Sequence, residues 1–197
     1  MKLKIHDLSK RFGNQVVLEH LSMELEGGRI YGLMAPSGKG KTTFFRILMG
    51  LEQADCGTMT LEETDFDFSK MRISAVFQED RLCEAFSAVE NVLLTADFAM
   101  NRELVQKELE ELLPKEALNR PVYTLSGGQK RRVAICRALC APFDLLILDE
   151  PFTGLDAESK SKVIQYLKKK SAGKLTLLST HQEEDLSSLH GIRLSLV

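Results

Sequence analysis

The sequence lacks a strong excess of charge of either sign, and this bears first on its partners. Its 26 basic and 28 acidic residues leave a formal net charge of −2 at pH 7. Proteins that bind nucleic acid through its phosphates carry a basic field over part of their surface. The balance of charge therefore predicts no nucleic acid partner.

Long apolar runs are also missing. Residues 1–12 alternate charged and apolar side chains, unlike a signal peptide, and no run approaches the roughly 20 residues of a membrane helix. The four cysteines form no CxxC pair, so we expect reduced thiols in a reducing compartment rather than disulfides. These features predict a cytoplasmic chain that reaches a membrane only through a partner.

The chain does contain enough apolar residues for one compact domain. Of its 197 residues, 44% are hydrophobic, which is sufficient for a buried core. Short apolar runs bounded by glycine, proline or charge are typical of buried parallel strands. Such runs occur at 29–35, 72–78, 145–149 and 174–180. Helix-compatible spacing separates them, at 41–50, 101–113, 130–140 and 157–170.

These patterns predict an α/β fold with a mostly parallel sheet, crossover helices and two additions. Near the start, apolar residues close to period-two spacing predict an antiparallel β subdomain. They are Leu3, Ile5, Leu8, Leu21, Met23 and Leu25. Residues 79–123 lack a clear strand, which predicts an inserted helical lobe. We expect one domain over 1–197, with the core and β subdomain at about 1–78 and 124–197.

A glycine-rich segment follows the first predicted parallel strand and opens a helix. Residues 35–42 fit the pattern G-x-x-x-x-G-K-[ST] except at the first position. Glycines let backbone N–H groups approach phosphate oxygens, and the helix adds the positive end of its dipole. The segment therefore predicts the core of a P-loop NTPase that binds ATP. The predicted nucleotide-binding residues are Ser37, Gly38, Lys39, Gly40, Lys41, Thr42 and Thr43.

Each residue that follows the loop glycines has a predicted role. Lys41 would reach the β and γ phosphates, Thr42 would ligate Mg²⁺, and Thr43 would donate to the α phosphate. An ordinary glycine-rich turn is the alternative for this loop alone. Ala35 departs from the pattern, and its Cβ would strain the turn by about 1 kcal/mol if the position needs a glycine-like conformation.

An apolar strand at 145–148 ends in two carboxylates. At the phosphate end of a parallel sheet, Asp149 would hold the Mg²⁺ shell and Glu150 would act as general base toward the attacking water. His181 follows the last predicted parallel strand and would reach the γ phosphate or the water. A solvated acidic turn and a structural histidine are the alternatives for these residues taken singly.

A second anion site is predicted at LSGGQ, residues 125–129. A hydroxyl N-cap and two glycines there precede a helix that opens with basic residues. One nucleotide cannot use both anion sites unless they converge, and a two-fold dimer lets each chain supply this second site to its neighbour. The residues predicted to bind the neighbour's nucleotide are Ser126, Gly127, Gly128 and Gln129.

At these residues the chain resembles the ABC ATPase family, whose signature is LSGGQ, and the other motifs follow over nearly the whole chain. The resemblance implies that Gln78 is the Q-loop glutamine, which contacts Mg²⁺ or the water and signals to a membrane subunit. It also implies that Asp156 lies in the D-loop at the dimer interface and that His181 is the switch histidine. Phe12 would stack on adenine, where the family usually has tyrosine; a core phenylalanine is the alternative.

The resemblance implies an ATP-hydrolysing, Mg²⁺-dependent subunit of an ABC membrane transporter. It would form a homodimer, or a heterodimer with a second ABC ATPase chain, and lie on the inner face of the cell membrane beneath a permease. Residues 84–92 resemble the segment found in the cassettes of importers for nitrate, sulfonate or related small solutes. The alternative is that they only form the start of the helical lobe, as in many other cassettes. Residues 78–86 are predicted to contact the permease, with Asp80 and Arg81 exposed.

The alternative function is a soluble ABC ATPase that acts on nucleic acid or ribosomes. Relatives that organise DNA place a long coiled coil between the P-loop and the signature, and this chain has no sustained heptads there. Translation factors that resemble the family carry two cassettes in one chain. Both features favour the transporter subunit.

Overall fold

The computed structural model describes residues 1–36, 38–62 and 67–196. The strands are β1 (Lys2–Phe12), β2 (Gln15–Glu26), β3 (Ile30–Leu33), β4 (Cys56–Glu62), β5 (Ile73–Val76), β6 (Leu145–Asp149), β7 (Leu175–Ser179) and β8 (Ile192–Leu194). The α-helices are α1 (Lys41–Leu48), α2 (Ala88–Leu93), α3 (Arg102–Glu110), α4 (Gly127–Cys140), α5 (Ala157–Lys170) and α6 (Glu183–Ser188).

A parallel sheet forms the centre of the molecule, in the order β5-β6-β7-β3-β8. Strands β6 and β7 are buried at every residue, which explains their continuous apolar sequence. Four of the strands were predicted, and the sheet and helices confirm the α/β fold. Because all these strands run the same way, the segments that follow them meet at one edge of the sheet.

An antiparallel sheet of β2, β1 and β4 packs beside the core. Its first two strands were predicted from their period-two spacing, whereas β4 was not predicted. Gly57 in β4 has a φ of +99°, and a Cβ there would lie 2.6 Å from the backbone oxygen of Asp7. Only glycine therefore allows β4 to approach β1 this closely.

Residues between β5 and α4 contain α2 and α3 and, within the described chain, no regular strand. A capping box at Ser87 begins α2, and the Asn101 side chain caps α3. Val92 and Leu109 are fully buried in one cluster with Val133 of α4. This packing joins the helical segment to the signature helix, while the division into core and lobe stays a prediction.

Candidate functional site

A cavity of about 370 Å³ opens at the edge where the parallel strands end. It collects side chains from segments that are far apart in sequence. The described lining residues are Phe12, Val17, Gly38, Gly40, Lys41, Thr42, Thr43, Gln78, Asp149, Glu150 and His181. All of these except Val17 are residues that the sequence assigns to nucleotide, metal or water. The fold therefore places the predicted phosphate, metal and base residues around one space.

The glycine-rich loop owes its conformation to Gly40, the N-cap of α1. Its φ is +84°, and a Cβ would lie 2.8 Å from the Val17 backbone oxygen, so no other residue fits. Lys39 is exposed and does not line the cavity, while Ser37 lies outside the described residues. Ala35 does not have a positive φ, so the glycine-like conformation on which the strain would depend does not occur there.

The Lys41 side chain contacts the backbone of the glycine-rich loop. Lys41 is buried, and its ammonium donates to the backbone oxygens of Ala35 and Pro36. An ammonium has three donors, so one remains for a further acceptor in the cavity. The charge that would meet phosphate is therefore held at the start of α1, where the helix dipole also favours an anion.

Oxygen ligands suited to Mg²⁺ meet between α1 and β6. Thr42 Oγ1 donates to Asp149 Oδ2 at 3.0 Å, and Gln78 lines the same cavity. Hydroxyl, carboxylate and amide oxygens are the ligands that Mg²⁺ prefers, with water and phosphate filling the other positions. Among the described residues, no group of three or more aspartate, glutamate, histidine or cysteine side chains is arranged to hold a metal ion by itself. The donor set thus fits a Mg²⁺ ion shared with phosphates rather than an all-protein cage.

Ser179, at the end of β7, contacts the Asp149 carboxylate and the Glu150 backbone, and it was not predicted from the sequence. Its hydroxyl donates to Asp149 Oδ1 at 2.6 Å and accepts from the Glu150 backbone N–H at 2.9 Å. Glu150 has a φ of +50°, so its backbone is left-handed and no longer extended like that of β6. Its side chain therefore does not follow the alternation of side chains between the two faces of the sheet. The carboxylates of Asp149 and Glu150 therefore have different surroundings although the two residues are adjacent in the chain.

The Glu150 carboxylate is partly buried, with 18% of its side chain exposed. Burial raises its pKa above the ordinary glutamate value, while the nearby charges of His181 and Lys41 act in the opposite direction. His181 Nε2 lies 3.0 Å from Glu150 Oε1, yet this buried oxygen accepts no aligned hydrogen bond from the described protein. Glu150 thus lines the cavity and keeps a carboxylate oxygen without a hydrogen bond from the described protein, and a general base needs such an acceptor.

Phe12 ends β1 at the rim of the cavity rather than in the core. Its side chain is 48% exposed. Lys10 Nζ lies 5.0 Å from the ring centroid and is itself paired with Glu52 at 2.9 Å. This accessible ring, beside Val17, offers a flat apolar face on which a nucleobase can stack.

We expect Phe12→Ala to weaken nucleotide binding by about 1–3 kcal/mol because the stacking face is lost. A fluorescent ATP analogue titrated against the purified protein measures the affinity, and thermal unfolding measures stability. Phe98→Ala is the control, since Phe98 is fully exposed and does not line the cavity. A large loss of stability with unchanged affinity would instead identify Phe12 as a core residue.

The signature residues lie outside this cavity. Ser126 caps α4: its Oγ accepts from the Gln129 N–H at 3.2 Å, and Gln129 Oε1 accepts from the Ser126 N–H at 3.0 Å. The helix begins at Gly127, three residues earlier than predicted, because this capping box extends it. Ser126 and Gly127 are exposed, so the helix N-terminus faces outward.

The predicted D-loop lies beside the signature. A Cβ on Gly128 would meet the Gly154 backbone oxygen at 3.1 Å. Asp156 caps α5, accepting from the Ser159 N–H at 2.8 Å and from its hydroxyl at 3.0 Å. Signature and D-loop thus form one surface that is separate from the chain's own phosphate site.

Arg131 joins the signature helix to Gln78 and was also missed. Its buried guanidinium donates to the Phe77 oxygen at 2.6 Å and the Gln78 oxygen at 2.7 Å, and it pairs with Asp80 at 3.2 Å. Asp80 is therefore half-buried, and burial raises its pKa while Arg131 lowers it. The expected exposure of Asp80 is wrong, whereas Arg81 is exposed.

Within the described residues, no helix is both long enough and apolar enough to span a membrane.

The chain is 36% identical to the Nod factor export ATP-binding protein I of Cupriavidus metallidurans, over 95% of this chain and 65% of the relative. It is 34% identical to a sulfate/thiosulfate import ATP-binding protein of Vibrio cholerae, over 96% of this chain and 54% of the relative. The chain therefore spans less than two thirds of either relative's length.

The fold of the chain is also similar to solved structures of ABC transporter cassettes. A dimeric bacterial ABC transporter cassette matches with a TM-score of 0.82 and 28% identity, over 98% of this chain and 94% of the other. A dimeric post-hydrolysis state of that cassette, bound to ADP and Pi, matches with a TM-score of 0.78 and 27% identity, over 94% and 90%. The family model described as ABC transporter matches residues 18–153. The chain belongs to the ABC transporter family as an ABC ATPase cassette, which the signature and its accompanying motifs predicted.

Proposed function

We propose that this chain is the ATP-hydrolysing subunit of a membrane transporter and that it works as a dimer beneath a permease. One observation carries the enzymatic part of the proposal. A single cavity unites a buried lysine at a helix N-terminus, a threonine paired with an aspartate, and a glutamate beside a histidine. Phosphate binding, metal binding and water activation are the requirements of ATP hydrolysis.

Phosphate binding begins at the N-terminus of α1. Backbone N–H groups near Gly38 and Gly40 approach the phosphate oxygens, and Lys41 turns its ammonium from the loop carbonyls toward the β and γ phosphates. Thr42, Asp149 and Gln78 would hold Mg²⁺. When bound, Mg²⁺ neutralises charge on the phosphates. Phe12 contributes stacking at the other end of the cavity.

Water activation then depends on Glu150. As a carboxylate it accepts a proton from the water that attacks the γ phosphorus, and the bond to the leaving ADP oxygen breaks. The raised pKa makes Glu150 a stronger base than an exposed glutamate. His181, 3.0 Å from Glu150, is placed to orient the carboxylate and to contact the γ phosphate.

We propose that a second ABC ATPase chain, identical or related, completes each site with its signature. The exposed N-terminus of α4 supports this, because Ser126 and Gly127 do not reach their own chain's cavity. The dimeric state of the matching cassette supports it independently. The same symmetry places two phosphate sites at the interface of the dimer.

The transporter role rests on the named relatives, which include both an export and an import ATP-binding protein. We propose a permease at the inner face of the cell membrane as the partner, with residues 78–86 as the contact. Arg131 supports this because it ties the backbone of Gln78 to the signature helix. The import of a nitrate- or sulfonate-like solute stays a prediction, which rests on the sequence of residues 84–92.

Two measurements test the proposal. We expect the purified chain to hydrolyse Mg²⁺-ATP in a single-turnover assay, and Lys41→Ala to lose this activity. We also expect the chain to copurify with a membrane permease from the cells in which it naturally occurs. Hydrolysis no faster than that of Lys41→Ala would contradict the enzymatic role. Copurification with ribosomes or nucleic acid instead of the permease would favour the soluble ABC ATPase.

A further inference from the structure

Lys160, in the first turns of α5, makes contacts that the ATPase motifs do not account for. Its ammonium forms an ion pair with Asp185 Oδ1 and donates to Gln182 Oε1 at 2.6 Å. It also lies 5.7 Å from the centroid of the Phe152 ring. The exposed fractions of the Lys160 and Asp185 side chains are 22% and 3%, so their ion pair is largely shielded from solvent, whereas the hydrogen bond to Gln182 is exposed.

Asp185 is the buried centre of this cluster. It is 2% exposed, and its Oδ2 accepts from Thr180 Oγ1 at 2.7 Å. The Thr180 hydroxyl in turn accepts from the Gln182 N–H at 3.2 Å. Thr180 and Gln182 are the two neighbours of His181 in the chain, so the cluster fixes the backbone on both sides of the histidine.

The backbone beside His181 has two further hydrogen bonds, from the Thr180 N–H to the Leu33 oxygen at 3.4 Å and from the Asp185 N–H to the Gln182 oxygen at 3.2 Å. Gln182 is the N-cap of α6 and makes no side-chain capping hydrogen bond. The His181 side chain is 51% exposed, so packing does not define its rotamer. A buried carboxylate such as Asp185 needs a counter-charge, and Lys160 supplies it. The ion pair is therefore one of the contacts that hold the segment carrying the histidine.

We propose that Lys160 is a positioning residue that holds His181 against Glu150, acting through Asp185 and Gln182. The proposal rests on the ATPase function proposed above for the cavity. Lys160 touches neither nucleotide nor the reacting atoms. Through Asp185 and Gln182 it sets the 3.0 Å approach of His181 Nε2 to Glu150 Oε1.

The kinetic test is Lys160→Met, which keeps most of the side-chain stem and removes the charge. We expect kcat for ATP hydrolysis to fall about 10- to 100-fold, because a small misplacement of a catalytic group has effects of this size. KM for ATP should stay unchanged, since Lys160 does not line the nucleotide cavity. Lys160→Arg keeps the charge and should restore most of the rate.

Lys162→Met is the matched control. Lys162 lies on the same helix, and its ion pair with Glu158 is exposed. We expect this variant to hydrolyse ATP at the wild-type rate. If Lys160→Met also keeps the wild-type kcat, Lys160 does not position the site.

A second readout does not depend on turnover. The chain has four histidines, so the imidazole signals of ¹⁵N-histidine-labelled protein are few, and His181→Gln assigns the relevant one. We expect Lys160→Met to shift the His181 ring signals while those of the other histidines stay in place. Asp185→Asn, which removes the charge but keeps an oxygen acceptor for Thr180, should shift them too and serves if Lys160→Met does not fold.

These measurements separate the two proposals. If the His181 signals are unchanged in both variants, even with lower thermal stability, the inference is overturned. The Lys160 cluster would then only connect α5 to α6. A wild-type chain that does not hydrolyse ATP would contradict the proposed function, while the histidine signals would still decide the role of Lys160.

Discussion

Glu150→Gln retains ATP binding but lowers the rate of hydrolysis by about 100- to 10,000-fold, the usual contribution of a general base. Glutamine keeps the size of the side chain and an oxygen acceptor, but it cannot take the proton from water. ATP should then hold two chains together. Single-turnover hydrolysis, nucleotide titration and size-exclusion chromatography with ATP measure the three effects.

The pH dependence of the wild-type chain provides a second measurement of Glu150. The base must be deprotonated, and burial raises its pKa, so the acid side of the pH-rate profile should lie above the ordinary glutamate range. Glu158→Gln is the control, because that carboxylate is exposed on α5 and should leave the rate unchanged. Near-wild-type hydrolysis by Glu150→Gln would remove Glu150 from the role of base.

Ser126→Arg is expected to abolish hydrolysis in the dimer while each chain still binds ATP through its own P-loop. The arginine would fill the exposed N-terminus of α4 where the neighbour's phosphate is proposed to bind. Loss of the Ser126 cap itself costs about 1 kcal/mol of stability. Asn101→Ala removes a comparable cap from α3 and controls for this cost. Steady-state ATPase activity and nucleotide titration are the measurements.

Mixing the Ser126→Arg chain with a Lys41→Ala chain tests whether the site is shared. In a mixed dimer, one composite site has the altered lysine and the altered serine, and the other site has neither change. We expect the mixture to regain activity that both parents lack. A mixture no more active than either parent would contradict independent sites that use the neighbour's signature.

The regular part of the fold was predictable because its sequence patterns are long. The apolar runs of β6 and β7 and the spacing of α5 gave their positions to within a residue at each end. Strand β4 was missed because threonine and glycine dilute its apolar alternation. Helix α2 lies in the segment predicted to be a helical lobe, but its bounds were not predicted, and α6 was missed, because six residues are too few for a helical period to be visible.

The candidate site was predictable where a motif marks the residue, as at Lys41 and Asp149. Residues whose roles come from tertiary proximity left no such mark. Ser179 lies on another strand from the carboxylates it connects, and Arg131 contacts the backbone of Phe77 and Gln78 across the fold. Asp80 was expected to be exposed because its pairing with Arg131 has no signal in the sequence.

The left-handed backbone at Glu150 places stability and activity in opposition at a single residue. A residue with a Cβ costs about 1–2 kcal/mol in this conformation, whereas glycine adopts it freely. Selection for a stable fold alone would therefore favour glycine at position 150 and discard the carboxylate. At this position the side chain that costs stability is also the one that supplies the proposed base to the cavity.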